Sequence, residues 1–401
     1  MAFEFMKILI LSFYYRPDLS AGSFRTTALV KALKVLAPTL EIHVVTTLPN
    51  RYSSFSVDAP QREEAVEARI TRVALPIHRS GILDQSLAFL CFASGVLAIV
   101  KEERYNLVFA TSSRLMTAVL GAWVARQKNC PLYLDIRDIF VDTIKNVLPL
   151  GLSFTLCPLF AFLERWTITR AIKLNLVSAG FREYFERRYP AKRLSFFTNG
   201  IDEEFIEAGP EEASALKISR PLVALYAGNF GEGQGLHNIL PQLARHFEGL
   251  IHFKVFGDGG RKNKLLESIN AANLSNIEVH LPLPRKELMW QYQDADILFL
   301  HLGNYEAFYK VLPSKIFEYG ALGKPIWAGL SGFPAEFLRA ELENVAIFPP
   351  CDADAAIQAL NRLKVQDIPR KKFISKFARS AICSEMAKDV LQCATDDRNS
   401  L

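Results

Sequence analysis

Short β-rich runs alternate with helical stretches along almost the whole chain, and this alternation constrains the fold most strongly. The first run, Lys7–Phe13, is almost continuously apolar, which is typical of a strand buried on both faces of a parallel sheet. A polar turn at Arg16–Arg25 and a helix at Thr26–Leu36 are predicted after it. Further strands are predicted at Ile42–Thr46, Ile70–Ala74, Leu107–Ala110, Leu132–Leu134 and Leu174–Val177. This order predicts an α/β fold with a doubly wound parallel sheet.

The alternation restarts in the second half of the chain. Strands are predicted there at Leu222–Ala227, Ile251–Phe256, Ile277–His280, Ile297–Leu300, Pro325–Ala328 and Val345–Phe348. A chain of 401 residues is long enough for two cores. We therefore expect two Rossmann-like domains, 1–198 and 199–374, joined near 199–219, with a helix at about 375–401 packing back on the first. Ligands of such sheets bind at the carboxyl ends of the strands, so the expected site is a cleft between the domains.

Composition narrows the class of protein. Hydrophobic residues make up 50% of the chain and charged residues 22%, as in globular proteins. The six cysteines form no C-x-x-C pair, which argues against a zinc site or a disulfide framework and favours a reducing cytosol. The opening residues lead directly into a strand, so no cleaved signal peptide is expected.

Two apolar stretches and one basic stretch fall in the first half. Ile82–Val100 contains a single charge, and Val147–Leu163 contains none. Because both interrupt an α/β alternation, we expect buried or membrane-facing helices rather than membrane spans. The segment Glu164–Arg193 has a net charge of +5, which suits phosphate groups or an anionic membrane, although a solvated helix face explains it equally well. Its aromatic residues do not interleave with the basic ones as nucleic-acid binding requires.

Two glycine-containing turns follow strands of the second half. Tyr226–Leu236 (YAGNFGEGQGL) contains Gly228, Gly231, Gly233 and Gly235 and precedes a predicted helix, so its backbone can approach a phosphate. It matches neither the dinucleotide fingerprint nor a Walker loop, and a plain tight turn stays an alternative. Phe256–Gly260 (FGDGG), with Gly257, is a second turn at the same edge, and a turn without a ligand explains it as well.

The segment Pro313–Pro325 (PSKIFEYGALGKP) carries the strongest functional signal. Ser314 is placed near the N-cap of a short helix from Lys315 to about Leu322. A cation such as Lys315 is unfavourable in a first turn unless an anion binds there. Glu318 lies one turn later on the same face and can accept hydrogen bonds from both hydroxyls of a ribose. The alternative is a surface ion pair between Lys315 and Glu318.

In the first half, Leu134–Asp142 (LDIRDIFVD) follows a predicted strand. Asp138 is expected at the end of that strand, where it can orient an acceptor hydroxyl or act as its base. A structural Arg137–Asp135 pair is the alternative. In the turn after the first strand, Gly22 and Arg25 are candidate phosphate or acceptor contacts.

The seven histidines show no metal-binding spacing, and no metal site is expected. His43 and His280 lie in predicted strands and are expected in the core. His301 ends a strand and is the histidine expected to line the cleft. A G-x-S-x-G motif is absent, which disfavours an α/β hydrolase.

Taken in order, these segments resemble the retaining family-4 glycosyltransferases of GT-B fold. The resemblance rests on the opening strand and turn, LDIRDIF, NGID at Asn199–Asp202, the glycine turn, FGDG, DAD at Asp294–Asp296 and PSKIFEYGALGKP. The Q-G-L of the glycine turn and P-S-K-x-x-E-Y are similar to a bacterial surface-polysaccharide branch that includes N-acetyl-L-fucosamine transferases.

The resemblance implies roles for individual residues. Glu318 would bind the ribose of a nucleotide-sugar donor and Lys315 its diphosphate, with Gly22 closing on the phosphates from the other domain. Leu281–Arg285, including Leu283, would hold the base through backbone groups. The sugar would be transferred with retention, the leaving diphosphate would help to deprotonate the acceptor, and no metal or other cofactor would be needed.

The chain departs from its relatives at three positions. Many members carry an acidic residue where this chain has Lys310. The role of that acidic residue is either vacant in this chain or taken by Glu306. The Arg and Lys of the glycine turn are replaced by Asn229 and Gln234, so Lys315, assisted by Lys310, is expected to supply the cationic contact.

The sequence therefore predicts a cytoplasmic enzyme at the inner face of the membrane. It would transfer a sugar from a nucleotide-sugar donor, expected to carry UDP, to a lipid-linked saccharide of O-antigen or capsule. An N-acetylated deoxyamino sugar is one candidate for the transferred sugar. A nucleotide-sugar 2-epimerase of the same fold and a non-catalytic partner subunit are the alternatives.

Overall fold

The computed structural model describes residues 6–50, 58–76, 82–112, 114–139, 141–142, 150–215 and 221–396. The chain divides into two compact units. Unit 1 comprises residues 1–199 and 379–401, and unit 2 comprises residues 200–378.

Unit 1 is built on an eight-stranded sheet with the order β3-β4-β2-β1-β5-β6-β7-β8. All neighbours are parallel except β3 and β4. The strands are β1 (Lys7–Leu11), β2 (Glu41–Thr47), β3 (Arg62–Glu64), β4 (Arg69–Val73), β5 (Leu107–Thr111), β6 (Leu132–Ile136), β7 (Lys173–Leu176) and β8 (Arg193–Ser195). The helices are α1 (Ala21–Leu36), α2 (Ile82–Val100), α3 (Leu115–Lys128), α4 (Leu150–Arg170) and α5 (Arg182–Arg188).

Helix α1 begins five residues before its predicted start at Thr26, so the expected polar turn at Arg16–Arg25 is too long. The reason is the cap: the hydroxyl of Ser20 accepts a hydrogen bond from the backbone N–H of Ser23 (3.2 Å). Gly22 and Arg25 therefore belong to the first turns of a helix instead of a loop.

Unit 2 contains a six-stranded parallel sheet with the order β12-β11-β10-β13-β14-β15, and a two-stranded antiparallel pair of β9 with β16. The strands are β9 (Ser214–Ala215), β10 (Leu222–Asn229), β11 (Ile251–Asp258), β12 (Ile277–His280), β13 (Ile297–His301), β14 (Ile326–Gly329), β15 (Val345–Phe348) and β16 (Gln366–Asp367). The helices are α6 (Glu203–Glu207), α7 (Leu236–His246), α8 (Lys262–Ala271), α9 (Arg285–Asp294), α10 (Lys315–Ala321), α11 (Phe333–Glu341), α12 (Ala353–Leu360) and α13 (Lys371–Phe377).

The last described helix, α14 (Arg379–Asp396), packs on unit 1. Its buried side chains Met386, Val390 and Leu391 belong to the same hydrophobic core as residues of α1, β1 and β2. The carboxylate of Asp389 accepts hydrogen bonds from the hydroxyls of Tyr133 (2.8 Å) and Ser195 (2.9 Å). The region expected to form one helix at 375–401 is divided between two helices. The first, α13, ends at Phe377 in unit 2, and the second, α14, begins at Arg379.

Among the described helices, none combines the length and the apolar character needed to cross a membrane. The apolar stretch Ile82–Val100 forms α2, and most of the second stretch lies in α4, with residues 147–149 outside the described chain.

Candidate functional site

The predicted donor-binding turns lie side by side at the carboxyl edge of the unit 2 sheet. Strands β10 and β11 pair in register, with Gly228 opposite Gly257 and Asn229 opposite Asp258. The two turns are then joined by backbone hydrogen bonds from Phe230 N–H to Asp258 C=O (2.9 Å) and from Arg261 N–H to Phe230 C=O (2.8 Å). A Cβ on Gly257 would overlap the carbonyl oxygen of Gly228, so the close approach requires glycine.

Residues 228–235, here called the glycine loop, are shaped by hydrogen bonds within the loop. The side-chain amides of Asn229 and Gln234 hydrogen-bond to each other (2.9 Å). The Gln234 Oε1 atom also accepts from the backbone N–H of Gly231 (3.2 Å). Gly235, with φ of +60°, then leads into α7. The two residues that replace the expected Arg and Lys thus hold the shape of the loop instead of offering positive charge.

Glu232, within the glycine loop, ties the loop to residues outside it, a role that no pattern in the sequence indicated. Its carboxylate accepts a hydrogen bond from the hydroxyl of Tyr305 (2.8 Å) and pairs with the guanidinium of Arg261. Partial burial works against the charge, but these hydrogen bonds outweigh it and hold the pKa of Glu232 below its usual range. The partners are 29 and 73 residues away along the chain, so only the fold brings them together.

His301 does not line an open site, contrary to the prediction. It is fully buried beneath the glycine loop, where its Nδ1 atom lies 2.7 Å from the carbonyl oxygen of Gln234. Its Nε2 atom accepts from the backbone N–H of Cys351 (2.9 Å), so Nδ1 carries the proton and donates to Gln234. Burial lowers the pKa of His301 to about 4, and the neutral ring acts as a fixed support for the loop.

The other two strand histidines divide. His43 is buried as predicted, between the hydroxyls of Tyr105 (2.7 Å) and Thr71 (3.0 Å). His280 is instead partly exposed and stacks on Phe256, with 4.8 Å between the ring centroids. The prediction for His280 was wrong because β12 is an edge strand of its sheet.

Lys315 and Glu318 form a half-buried pair at the start of α10. The Lys315 ammonium donates to Oε2 of Glu318 (2.8 Å) and to the hydroxyl of the buried Tyr292 (3.0 Å). Their side chains are only 23% and 12% exposed, so this is not an ordinary surface pair. Burial opposes the charge on Lys315, but Glu318 outweighs it and the pKa of Lys315 is raised.

The neighbourhood of this pair corrects one expectation. Helix α10 has only seven residues, and Ser314 occupies its N-cap position without a side-chain capping bond. The charge of Lys315 is met by Glu318 and Tyr292, so a bound anion is not needed to explain a cation in the first turn. Tyr292, which packs edge-on against Tyr319, was not found from the sequence.

The predicted base-binding loop lies between β12 and α9. Leu283 lines a groove of about 770 Å³ together with Phe256, His280 and the exposed Trp290. The side chain of Arg285 pairs with Asp202 and Glu204 (2.6 Å), which ties α9 to the start of α6. Glu306 is the first residue of a 3-10 turn at Glu306–Tyr309, and Lys310 follows the turn. Glu306 is exposed and Lys310 is half-buried.

In unit 1, the main partner of Asp135 is Arg25 and not Arg137, the residue with which the sequence suggested a structural pair. The guanidinium of Arg25 is buried and holds the Asp135 carboxylate through two hydrogen bonds (3.0 and 3.1 Å). Arg137 is 3.8 Å from Asp135 and donates instead to Oδ1 of Asn199 (3.1 Å). Arg25 is therefore a structural residue, and its prediction as a ligand contact was wrong.

Asp138 lies two residues beyond the end of β6, with an exposed side chain. Protein atoms crowd around it and remove part of its hydration, which raises the pKa of its carboxyl to about 6, against the opposing charge of Arg137. Gly22, in the first turn of α1, lies against Arg137, since a Cβ built on it would stand 3.9 Å from the guanidinium carbon. Unit 1 thus places Asp138, Arg137 and Gly22 in one region.

The described residues contain no cluster of three metal-ligating side chains. The chemistry available at the two sheet edges includes hydrogen bonding, the Lys315–Glu318 pair of unit 2 and the carboxyl of Asp138, with its raised pKa, in unit 1.

Comparisons with known proteins agree with this division. Residues 22–200 match the family described as "Glycosyl transferase 4-like domain", and residues 210–379 match "Glycosyl transferases group 1". The chain is 25% identical over 345 residues to WcaI of Escherichia coli (strain K12), whose name assigns it to colanic acid biosynthesis as a glycosyl transferase. That match covers 79% of this chain and 82% of WcaI.

Solved structures show the same fold at low identity. Sucrose-phosphate synthase from Thermosynechococcus elongatus superimposes with a TM-score of 0.77 at 15% identity, over 96% of this chain and 98% of the other. HepE from Anabaena, in complex with UDP and glucose, gives 0.59 at 15% identity, over 98% and 99%. The two family matches together span most of the chain, and both units are Rossmann-like. The chain is therefore a glycosyltransferase of GT-B fold that belongs to the group 1, family-4-like glycosyltransferases.

Proposed function

We propose that this glycosyltransferase moves a sugar, with retention, from a UDP-linked donor to a lipid-linked saccharide during the synthesis of a bacterial surface polysaccharide. The observation that carries the proposal is the half-buried Lys315–Glu318 pair at the start of α10. A cation for a diphosphate and a carboxylate for ribose hydroxyls are the two groups that a nucleotide-sugar needs.

The donor side of the proposal rests on unit 2. The glycine loop brings backbone N–H groups to the carboxyl edge of the sheet, where Rossmann-like folds bind phosphates. Lys315 then supplies the positive charge that Asn229 and Gln234 lack, with Lys310 and Glu306 nearby in sequence to meet the sugar. The UDP complex of HepE supports UDP as the nucleotide.

The acceptor side rests on unit 1. With its pKa near 6, Asp138 is ionised at neutral pH and can hold or deprotonate an acceptor hydroxyl. The departing diphosphate shares this role in the proposal, and no metal ion takes part. The name of WcaI supports a polysaccharide pathway. An N-acetylated deoxyamino sugar such as N-acetyl-L-fucosamine is the proposed cargo.

Exposed apolar and basic side chains of unit 1 support peripheral binding to the inner face of the membrane. Leu159 and Phe162 on α4 are 51% and 63% exposed, and Trp123 on α3 is 47% exposed. Arg170 lies over the ring of Trp166 at 4.0 Å. Aromatic and aliphatic groups beside arginines suit the interface of an anionic membrane.

A donor screen tests the proposal. UDP-, GDP- and dTDP-sugars are added singly to the protein and the melting temperature is recorded. We expect the UDP compounds to raise the melting temperature and both Glu318→Ala and Lys315→Ala to abolish the rise without unfolding the protein. Stabilisation by the other nucleotides alone would overturn the choice of UDP. Full transfer activity in both variants would overturn the site.

A second experiment addresses the reaction. Purified enzyme, donor and a membrane lipid extract are incubated with and without EDTA, and the product anomer is read by NMR. We expect transfer that is insensitive to EDTA, with the anomeric configuration retained. Conversion of the donor to an epimer without acceptor, or no turnover at all, would overturn the transferase reaction proposed for this chain.

A further inference from the structure

Unit 1 contains a small cavity at the carboxyl ends of β5 and β6 that no step above uses. Its apolar walls include Leu115, Ala118, Ile168 and Phe185, and its polar groups include Asp138 and Glu164. The volume is about 20 Å³, which is room for a single water-sized group. Asp138, the proposed acceptor-side carboxylate, lines this same cavity.

Glu164 is the unusual group in the cavity wall. The residue is 6% exposed, and a carboxylate is rarely buried to this degree without partners. Its Oε1 atom accepts hydrogen bonds from the hydroxyls of Tyr184 (2.7 Å) and Tyr189 (3.2 Å). Within the described part of the chain, no group donates to the second oxygen, Oε2.

The two tyrosines fix the carboxylate in place. Tyr184 lies on α5 and Tyr189 follows that helix, while Glu164 lies on α4, so the three residues join two helices. Because both donors occupy one oxygen, the other keeps its full capacity to accept hydrogen bonds. A carboxylate oxygen with unused capacity, on a residue that lines a cavity, is a site for a donor from a ligand or a water.

We propose that this cavity receives the hydroxyl of a hydroxymethyl group of the acceptor saccharide, and that this hydroxyl donates to Oε2 of Glu164. The space for one water-sized group takes the hydroxyl and leaves no room for a larger substituent. Asp138 then lies next to the adjoining part of the same sugar. The inference rests on the proposed function, because it assigns the acceptor of that reaction.

The competing occupant is a structural water. A water would satisfy Glu164 equally well, but it would not make the binding of a sugar depend on one hydroxyl. The two occupants therefore predict different results. If a sugar hydroxyl enters the cavity, substitutions at Glu164 and in the cavity wall change the affinity only for ligands that carry this hydroxyl.

The test measures binding of octyl glycosides to the full chain by saturation-transfer NMR. The panel pairs octyl β-D-galactoside, β-D-glucoside and α-D-mannoside with their 6-deoxy counterparts. We expect at least one glycoside to bind about tenfold more tightly than its 6-deoxy counterpart, since one hydrogen bond to a buried carboxylate is of this size. Absence of any such preference in the wild type would overturn the proposal.

Two variants locate the preference. Ala118→Val narrows the cavity without replacing a polar side chain, and Glu164→Gln removes the charge. Both variants are expected to bind the hydroxylated ligand about tenfold more weakly and to bind the 6-deoxy ligand with unchanged affinity. The matched control is Glu186→Gln, an exposed carboxylate on α5 that pairs with Arg182 and is expected to change neither. Equal effects on both ligands, or none, would show that the cavity holds only water.

Failure of this inference is distinguishable from failure of the proposed function. Stabilisation by UDP-sugars reports on unit 2 and is expected to persist in Ala118→Val and Glu164→Gln, which also shows that both variants are folded. Loss of UDP stabilisation in the wild type would refute the donor assignment, whatever the glycosides do.

Discussion

The ammonium nitrogen of Lys315 lies 2.8 Å from Oε2 of Glu318, one helical turn away, with the hydroxyl of Tyr292 3.0 Å from the same nitrogen. The ammonium and the carboxylate neutralise each other, and the uncharged Tyr292 hydroxyl accepts a hydrogen bond from the ammonium. A nucleotide-sugar that binds both charged groups must therefore replace these contacts with its own.

Replacing Glu318 by alanine is expected to reduce donor kcat/KM by about 30-fold, since a hydrogen bond to a charged group contributes about 2 kcal/mol. Steady-state kinetics with varied donor measure the effect. Glu385→Ala is the matched control, because Glu385 and Lys388 form an i,i+3 pair of 2.6 Å on α14 whose side chains are 61% and 58% exposed. A normal kcat/KM in Glu318→Ala would refute the ribose assignment.

Tyr305→Phe is expected to raise the donor KM several-fold with little change in kcat. The substitution removes the 2.8 Å hydrogen bond to Glu232 and leaves the glycine loop less firmly held. Tyr309→Phe is the control, because its hydroxyl donates to the side chain of Asn304 at the surface (2.6 Å). If both variants behave alike, Glu232 does not position the loop.

Gly257→Ala is expected to destabilise unit 2 by more than about 2 kcal/mol, because the new Cβ overlaps the Gly228 carbonyl and φ is +154°. Gly260→Ala, three residues away, has no atom within 4 Å of the new Cβ and is expected to be neutral. Urea unfolding followed by circular dichroism compares the two. Equal stability would contradict the close packing of the two turns.

Transfer activity is expected to fall as the pH drops through about 6. The raised pKa of Asp138 means that its carboxyl is protonated below this pH and can no longer accept a proton from the acceptor. The pH profile of kcat/KM measures this, and Asp138→Asn is expected to be slow and to lack the acidic limb. Asp58→Asn, an exposed carboxylate, is the control. An unchanged acidic limb in Asp138→Asn would assign it to another group.

Both units are expected to lose stability as the pH falls from 6.5 toward 4. Burial lowers the pKa of His43 and of His301 to about 4, so the unfolded chain binds protons in this window that the folded chain does not. The stability is complete above pH 6.5, and each histidine accounts for a loss of up to about 3 kcal/mol at low pH.

Thermal unfolding at pH 7.5 and 5.0 measures this loss. His43→Asn and His301→Asn are expected to be less stable at pH 7.5 but to lose less on acidification. The exposed His246→Asn is expected to behave as the wild type. Identical acid sensitivity in all three variants would show that neither buried ring is responsible.

The strands and the two domains were accessible from the sequence because parallel strands are buried on both faces and leave continuous apolar runs. Lys7–Leu11 and Ile297–His301 illustrate this, with nearly every residue buried. Local capping was harder to interpret, and α1 was placed too late because Ser20 was not recognised as its cap.

The long-range partners could not be predicted. Arg25 was available to any carboxylate, and only the fold selects Asp135, 110 residues away. The same holds for Glu232 with Tyr305 and for Glu164 with its two tyrosines. Motif residues such as Lys315 and Glu318 can be predicted from the sequence because they are neighbours on one helix. The residues that hold them in place come from other segments of the chain and cannot be predicted in this way.

The position of α14 also bears on how the protein is made. Residues 379–396 leave the ribosome after the whole of unit 2, which is one uninterrupted segment. Unit 2 can therefore fold during translation, while nascent unit 1 keeps an apolar face on α1 uncovered until Met386 and Val390 arrive. A chain broken off anywhere in unit 2 would carry an uncovered hydrophobic surface, which is the feature by which chaperones and proteases recognise unfinished proteins.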